Sequence, residues 1–188
     1  MSFRTRTVVA ITAVALAALS GCAPEPPPIV PEPTSTTPPL FASDEEALAA
    51  AEEAYREYLR VSDAIFLDGG RDADRIDAVS SASHAKAQRD AFAQVLEAGA
   101  RGTGTTAFDS FELQQFDATA EGGESIISIY TCLDLSDTDT VDATGKSIVA
   151  KDRKLRVPLE VHFDLVNPNS KSLVIGAVDF WSGEDFCS

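Results

Sequence analysis

The chain has 188 residues, of which 15 are basic and 30 acidic, so its formal net charge is −15 at pH 7. Nucleic-acid-binding proteins and proteins that lie flat on anionic lipid both need a basic surface, so this composition argues against both classes. The two histidines lack zinc-ligand spacing with the three cysteines, and no nucleotide-binding glycine motif is present. No metal or other cofactor is therefore expected.

Residues 1–21 predict a signal peptide. Arg4 and Arg6 precede an uncharged run over residues 8–20, which is shorter than the roughly 20 apolar residues of a membrane-spanning helix. The run ends in Leu19-Ser20-Gly21-Cys22, which resembles the lipobox of bacterial lipoproteins. The resemblance implies that the signal peptide is removed and that Cys22 carries a lipid, on the outer face of the bacterial cytoplasmic membrane. An ordinary secretory signal with an incidental cysteine is the alternative.

Residues 22–42 predict a tether between the lipid and a folded domain. They contain eight of the ten prolines, mixed with Glu, Ser and Thr, so they have too little apolar area for a core and favour polyproline II. At about 3.1 Å per residue, the tether could hold the domain up to ~60 Å from the bilayer. We predict that it is dispensable for folding, and that a chain beginning near Ser43 melts close to the full mature chain.

Residues 43–188 predict one α+β domain with its helices first. Ser43 and Glu46 form a capping box, the helical period continues to Phe66, and Gly69-Gly70 ends the helix. Two shorter helices are predicted within DADRIDAVS, with Ile76 and Val79 inward, and within SASHAKAQRDAFAQVLEAGARG, which ends at Gly99.

The sequence after Thr103 predicts an antiparallel meander. Its four strand segments, separated by the turns EGG, DATGK and NPNS, are 105–118, 124–136, 148–166 and 172–181. In the third segment every second residue from Val157 to Leu165 is apolar, and Glu160, His162 and Asp164 point to the opposite face. One face is therefore predicted to pack in the core and the other to contact solvent. Apolar parity breaks twice in the first segment, which predicts bulges. The long segments predict a strongly curled sheet.

Cys132 and Cys187 are predicted to form a disulfide. They are the two cysteines that remain once Cys22 is lipidated, and exported compartments are oxidising. Strands two apart in a sheet are ~10 Å from each other, beyond disulfide reach, so the residues after Trp181 must turn back onto the second strand. A metal site and a reactive thiol are the alternatives, against which the histidine positions and the even count argue.

The order of elements resembles the NTF2-like superfamily over about residues 43–188. The resemblance rests on AYREYLRVSDAIFLDGG in the first helix, on YTCLDLSDTDTVDATGK and on the ending DFWSGEDFC, and it is closest to exported actinobacterial lipoproteins with a proline-rich tether. It implies a cone in which helices pack on a long, curled four-stranded sheet. It also implies a binding or accessory module of the cell envelope that recognises a small molecule or an envelope protein. A small enzyme of isomerase or hydrolase type is the alternative.

Candidate residues for the lining of such a cone are Tyr55, Tyr58, Asp63, Tyr130 and Asp179, although tyrosines on an amphipathic helix commonly serve packing. Both histidines, His84 and His162, are predicted to face solvent, so no catalytic residue is assigned. The aspartates from Asp134 to Asp142 miss the EF-hand spacing, so no metal ligand is assigned either.

Overall fold

A computed structural model describes residues 40–117, 125–168 and 170–187. In chain order its elements are α1 (Asp44–Leu67), a 3-10 helix (Ala73–Ala78), α2 (Ala82–Glu97), β1 (Arg101–Thr103), β2 (Ala107–Phe116), β3 (Ile127–Asp134), β4 (Asp139–Val141), β5 (Arg156–Leu165) and β6 (Leu173–Phe180). Helices therefore precede an antiparallel sheet, and the predicted α+β class is confirmed. Among the described helices, none combines the length and apolar character needed to span a membrane.

The ends of α1 follow the predicted signals. The Ser43 side chain accepts a hydrogen bond from the backbone N–H of Glu46, and the Glu46 carboxylate accepts one from the backbone N–H of Ala42 at 2.7 Å. After the helix ends at Leu67, Gly69 and Gly70 have φ of +69° and +80°, and a Cβ on Gly70 would overlap the carbonyl oxygen of Phe92 in α2. Only glycine allows both that backbone conformation and so close an approach to α2.

The main sheet has the strand order β2-β3-β5-β6, and every neighbouring pair is antiparallel. The predicted meander is therefore confirmed, with one excursion: β4 leaves it and pairs with β1 as a separate two-stranded sheet. Strands of three residues are too short to show a period of two, so the sequence did not indicate them. The predicted EGG turn at 121–123 lies outside the described residues.

Two register shifts interrupt the pairing of β2 with β3, as the broken parity predicted. They lie between Asp109 and Glu112 and between Leu113 and Gln115, and Ser110 in the first has φ 53°. A bulge adds a residue to one strand and turns the following side chains to the other face. This explains how Phe108 and Phe111 both reach the core.

The prediction of a strongly curled sheet was wrong. The strands of the main sheet have 8 or 10 residues, and residues 148–155 of the third predicted segment lie before β5 begins at Arg156. Twist accumulates along each strand, so shorter strands bend the sheet less. The apolar and β-branched residues near Ile148 have a composition typical of a strand, but this part of the chain forms a loop.

The core lies between the helices and one face of the sheet, which we call the inner face. Its fully buried side chains include Tyr55 and Ile65 of α1, Ile76 of the 3-10 helix, and Ile129 and Phe163 of the sheet. The predicted alternation of β5 is confirmed, because its core residues alternate with polar residues on the opposite, outer face.

Phe41 belongs to this core, although the sequence analysis assigned it to the tether. Its side chain is 2% exposed and meets the ring of Phe116 edge-on, with centroids 5.7 Å apart. The Lys171 ammonium lies over the same ring and also pairs with Glu46 at 2.6 Å. The folded domain therefore begins before Ser43.

Candidate functional site

Four of the five residues proposed to line a pocket lie on two different faces of the sheet. Tyr55 and Tyr58 belong to α1 and are buried in the core. Tyr130 and Asp179 share the outer face of the sheet, where Glu160 is the register partner of both. A sheet separates the two pairs, so they do not line one pocket.

Tyr58 connects the core to the surface through His84. Its hydroxyl lies 3.1 Å from Nε2 of His84, which α2 presents in its first turn. His84 was predicted to face solvent but is half-buried, and burial lowers the pKa of its imidazole, while the carboxylate of Asp179 opposes that shift. Burial raises the pKa of the Tyr58 phenol, so the pair is a neutral tyrosine beside a neutral histidine at pH 7.

His162 occupies the middle of the outer face. Its Nδ1 lies 2.8 Å from the hydroxyl of Ser128, a buried residue of β3 and its register partner. Its Nε2 lies 3.6 Å from Asp179 and 3.9 Å from Glu160. The side chain is on the wet face as predicted, but its neighbours leave only 25% of it exposed.

The last residues fold back across the outer face. The Cα atoms of Cys132 and Cys187 lie 5.5 Å apart, and their sulfur atoms are at disulfide distance. The ring of Tyr130 packs against those of Trp181 and Phe186, with centroids 4.8 and 6.0 Å away. Tyr130 therefore anchors the tail and does not line a pocket.

Arg156 adds a second connection between the tail and the sheet. Its Nε donates to the carbonyl oxygen of Cys187 at 2.9 Å, and its two terminal nitrogens pair with Asp109 of β2 and Asp134 of β3. The Arg156 guanidinium holds the pKa of the Asp109 carboxyl below its usual range. One side chain thus joins the tail and two strands.

A partly open cleft of about 230 Å³ lies beside the C-terminal half of α1. The β1–β4 sheet, the turn after β3 and the loop before β5 form its other walls. Its polar side chains include Asp63, Thr103, Thr138, Thr140 and Arg153, and Phe66 and Leu135 add apolar surface. Of the residues named as candidates from the sequence, Asp63 is the one that lines this cleft.

Two walls of the cleft meet at a glycine. Gly104 has φ +74°, and a Cβ there would overlap the backbone carbonyl oxygen of Asp137. The connection from β1 to β2 therefore approaches the turn after β3 more closely than any side chain would allow. Gly104 itself lines the cleft.

Asp63 holds that connection against α1. Its carboxylate accepts a hydrogen bond from the backbone N–H of Thr106 at 2.8 Å and others from the Thr106 hydroxyl at 3.0 and 3.1 Å. The sequence shows Asp63 only as a polar residue in a helix, since its partner lies 43 positions away. No local pattern predicts such a contact.

Arg153 is the basic residue of the cleft, and sequence reasoning missed it. Its terminal nitrogens donate to the carbonyl oxygens of Leu135 and Thr138 and, at 3.4 Å, to the Thr138 hydroxyl. It lies in the loop that was mistaken for a strand, so its role could not be assigned from periodicity.

The aspartates after β3 organise turns. The Asp142 carboxylate accepts hydrogen bonds from the backbone N–H groups of Thr144 and Lys146 and from the Thr144 hydroxyl, and these bonds lower its pKa. In the described parts of the chain, no group of three or more His, Cys, Asp or Glu side chains is arranged to hold a metal ion.

No protein-family model matches the chain, and no characterised protein matches it significantly. Cys22, the predicted lipidation site, lies outside the described residues. The lipoprotein and NTF2-like resemblances therefore stay predictions.

Proposed function

We propose that the chain is a lipid-anchored lipoprotein on the outer face of the bacterial cytoplasmic membrane. The observation that carries this proposal is the tetrapeptide Leu19-Ser20-Gly21-Cys22 at the end of a short uncharged run. A signal of this kind ends in a cleavage site and does not span the membrane as a stable helix. The lipid on Cys22 would then be the contact with the membrane, because an acidic domain gains nothing from anionic head groups.

The domain is proposed to act as a binding or accessory module of the cell envelope, with an NTF2-like fold. Support for the fold is the order of three helical segments followed by a four-stranded meander. The sheet lacks the strong curl of a deep cone and its inner face is filled by core side chains. Recognition of a small molecule or an envelope protein therefore belongs to the surface of the domain, as at the cleft beside α1.

Cell fractionation tests the anchoring. In a bacterium that makes lipoproteins, the wild-type protein should be found in membranes and released by detergent. Cys22→Ala should instead leave an unprocessed precursor or release the protein into the medium, whereas Ala23→Ser, one residue outside the lipobox, should behave as wild type. Equal membrane retention of Cys22→Ala and wild type in processed form would contradict the proposal.

The hydrogen bond between Tyr58 and His84 favours a second candidate function, a small acid–base enzyme. A half-buried neutral histidine beside a phenol can move a proton if a substrate reaches it. Turnover of ester or enolisable ketone substrates that is lost in both Tyr58→Phe and His84→Gln, with folding intact, would establish this function. Turnover that survives both substitutions would remove the pair from consideration.

A further inference from the structure

We propose that the cleft beside α1 binds a small zwitterion, a molecule that carries both a carboxylate and an ammonium group. The inference deepens the proposed function, on which it rests for the idea that the domain is a binding module. Its basis is a pair of opposite charges, Asp63 and Arg153, that line the same cleft without neutralising each other.

The size of the cleft sets the scale of the ligand. A volume of about 230 Å³ lies just below the range of roughly 300–1,000 Å³ that holds drug-sized molecules. At about 30 Å³ for each water of liquid, it corresponds to roughly eight waters. An amino-acid-sized molecule fits this space.

Arg153 differs from the other half-buried arginines of the described chain. Arg89 pairs with Asp77, and Arg156 pairs with Asp109 and Asp134. Arg153 has no carboxylate within 4.0 Å among the described residues, although acidic residues outnumber basic ones two to one. Its protein partners are two carbonyl oxygens and a hydroxyl, which leave its positive charge without a counter-charge.

The hydrogen-bonding capacity of Arg153 is also incomplete. A guanidinium has five N–H donors, and three of them serve Leu135 and Thr138. Two donors remain, one on Nε and one on Nη1, and a carboxylate oxygen accepts a hydrogen bond from such a charged group more strongly than a neutral oxygen does. Arg153 is therefore the expected contact for the negative end of a ligand.

Asp63 provides the negative charge of the cleft, opposite in sign to Arg153. No basic side chain of the described chain lies within salt-bridge distance of its carboxylate, and its hydrogen-bond donors all come from Thr106. An ionised carboxylate has about four acceptor positions, so it can also accept from an ammonium group. The hydroxyls of Thr103 and Thr140 line the same space and offer further polar contacts.

A single-charge ligand satisfies only half of this arrangement. A simple carboxylate would pair with Arg153 but would bring a second negative charge near Asp63. A simple amine would pair with Asp63 but would bring a second positive charge near Arg153. A zwitterion pairs with both.

The probes are ω-amino acids of increasing length, from glycine to 6-aminohexanoate, titrated into the full-length protein in detergent micelles. Binding is followed by calorimetry and by amide chemical shifts. We expect one or two members of the series to bind best, with shifts confined to residues around the cleft. Butyrate and butylamine, each with one of the two charges, should bind with an affinity at least about tenfold lower than that of the best zwitterion.

Variants test the two charges separately. Arg153→Gln and Asp63→Asn should each weaken binding of the best probe about tenfold or more. Matched controls are Lys151→Gln, which removes a positive charge from the same loop, and Asp74→Asn, which removes an exposed carboxylate; both should bind as wild type. Because Arg153 also holds the turn after β3, Arg153→Lys is included; it keeps the charge and should retain more affinity than Arg153→Gln.

Three results would overturn the inference: no probe binds, butyrate or butylamine binds as well as the best zwitterion, or Arg153→Gln and Asp63→Asn both bind as wild type. Its failure is distinguishable from failure of the proposed function, because membrane retention through Cys22 is measured independently in the same preparations. Retention without zwitterion binding would overturn the inference alone. Zwitterion binding by a protein that carries no lipid would overturn the anchoring alone.

Discussion

His84 and His162 illustrate what residue identity reveals and what it leaves open. Both lie among charged neighbours in the sequence, which led to the prediction that both face solvent. His162 does lie on the wet face of the sheet, because strand alternation fixes its side. His84 is half-buried instead, because its exposure depends on how α2 packs against Tyr58, 26 positions earlier. Contacts between elements of this kind have no local signature.

The half-burial of His84 predicts that the stability of the protein depends on pH. Burial lowers the pKa of His84 in the folded state, while the unfolded chain keeps the ordinary value near 6.5. Below that value the unfolded state binds the proton more readily, so the free energy of unfolding decreases as the pH falls through about 6.5. The Tm should therefore be lower at pH 5.5 than at pH 7.5.

His84→Gln should remove most of this difference. Carboxylates such as Asp109 do not interfere, because their pKa values lie below their usual range near 4. Thermal melts at both pH values measure the effect. A His84→Gln variant with the same pH dependence as wild type would show that another group is responsible.

At the scale of elements, long periodic segments were predictable and short or irregular ones were not. The capping signals placed α1 correctly, and the break in apolar parity located the irregularity in β2. β1 and β4 went unpredicted because three residues carry no period, and the loop before β5 was mistaken for strand. The cleft is built from these two strands and that loop, so the sequence offered almost no indication of it.

The packing of Phe41 changes the predicted effect of shortening the chain. A chain that begins at Pro38 should melt close to the full mature chain, since only proline-rich sequence is lost. One that begins at Ser43 loses Phe41, and loss of a buried phenylalanine costs about 3 kcal/mol or more. Its Tm should fall by roughly 6–12 °C at this domain size. Equal melting of the two chains would show that Phe41 contributes nothing.

Reduction should loosen the C-terminal tail before the core. Closing the Cys132–Cys187 loop constrains the unfolded chain by about 4 kcal/mol on the entropy model, and it also holds residues 182–187 on the outer face. In hydrogen exchange, reduced protein should lose protection at the Cys187 amide, which donates to Asp185, while amides of β5 remain protected. Two freely reactive thiols in the exported native protein would refute the bond itself.

At the scale of the whole molecule, the sequence predicts a short signal, a proline-rich segment and one folded domain in that order. The fold class and meander were predictable because they follow from periodicity and turn residues. The degree of curl was not, because it depends on strand lengths that the ends of apolar segments define poorly. The unpaired charges of Asp63 and Arg153 in the cleft were not predictable either. Their lack of ionic partners can be seen only once the other charged side chains of the described chain have been placed.

The proposed function joins these parts into one account. A lipid on Cys22 would hold the protein at the membrane, residues 23–39 would extend from it, and an acidic domain would remain accessible to small molecules or envelope proteins. Residues 22–188 contain 13 basic and 30 acidic side chains, because Arg4 and Arg6 lie in the predicted signal, and so carry a formal charge of −17. Such a charge keeps copies of the domain apart.

Mass spectrometry of the N-terminal peptide tests the central claim most directly. The protein is extracted with detergent from membranes of a bacterium that makes lipoproteins, and the peptide is sequenced. The account predicts that the mature chain begins at Cys22 and that this residue carries the mass of a diacylglyceryl group. A lipid-free protein that retains residues 1–21, or one cleaved elsewhere with Cys22 unmodified, would contradict it.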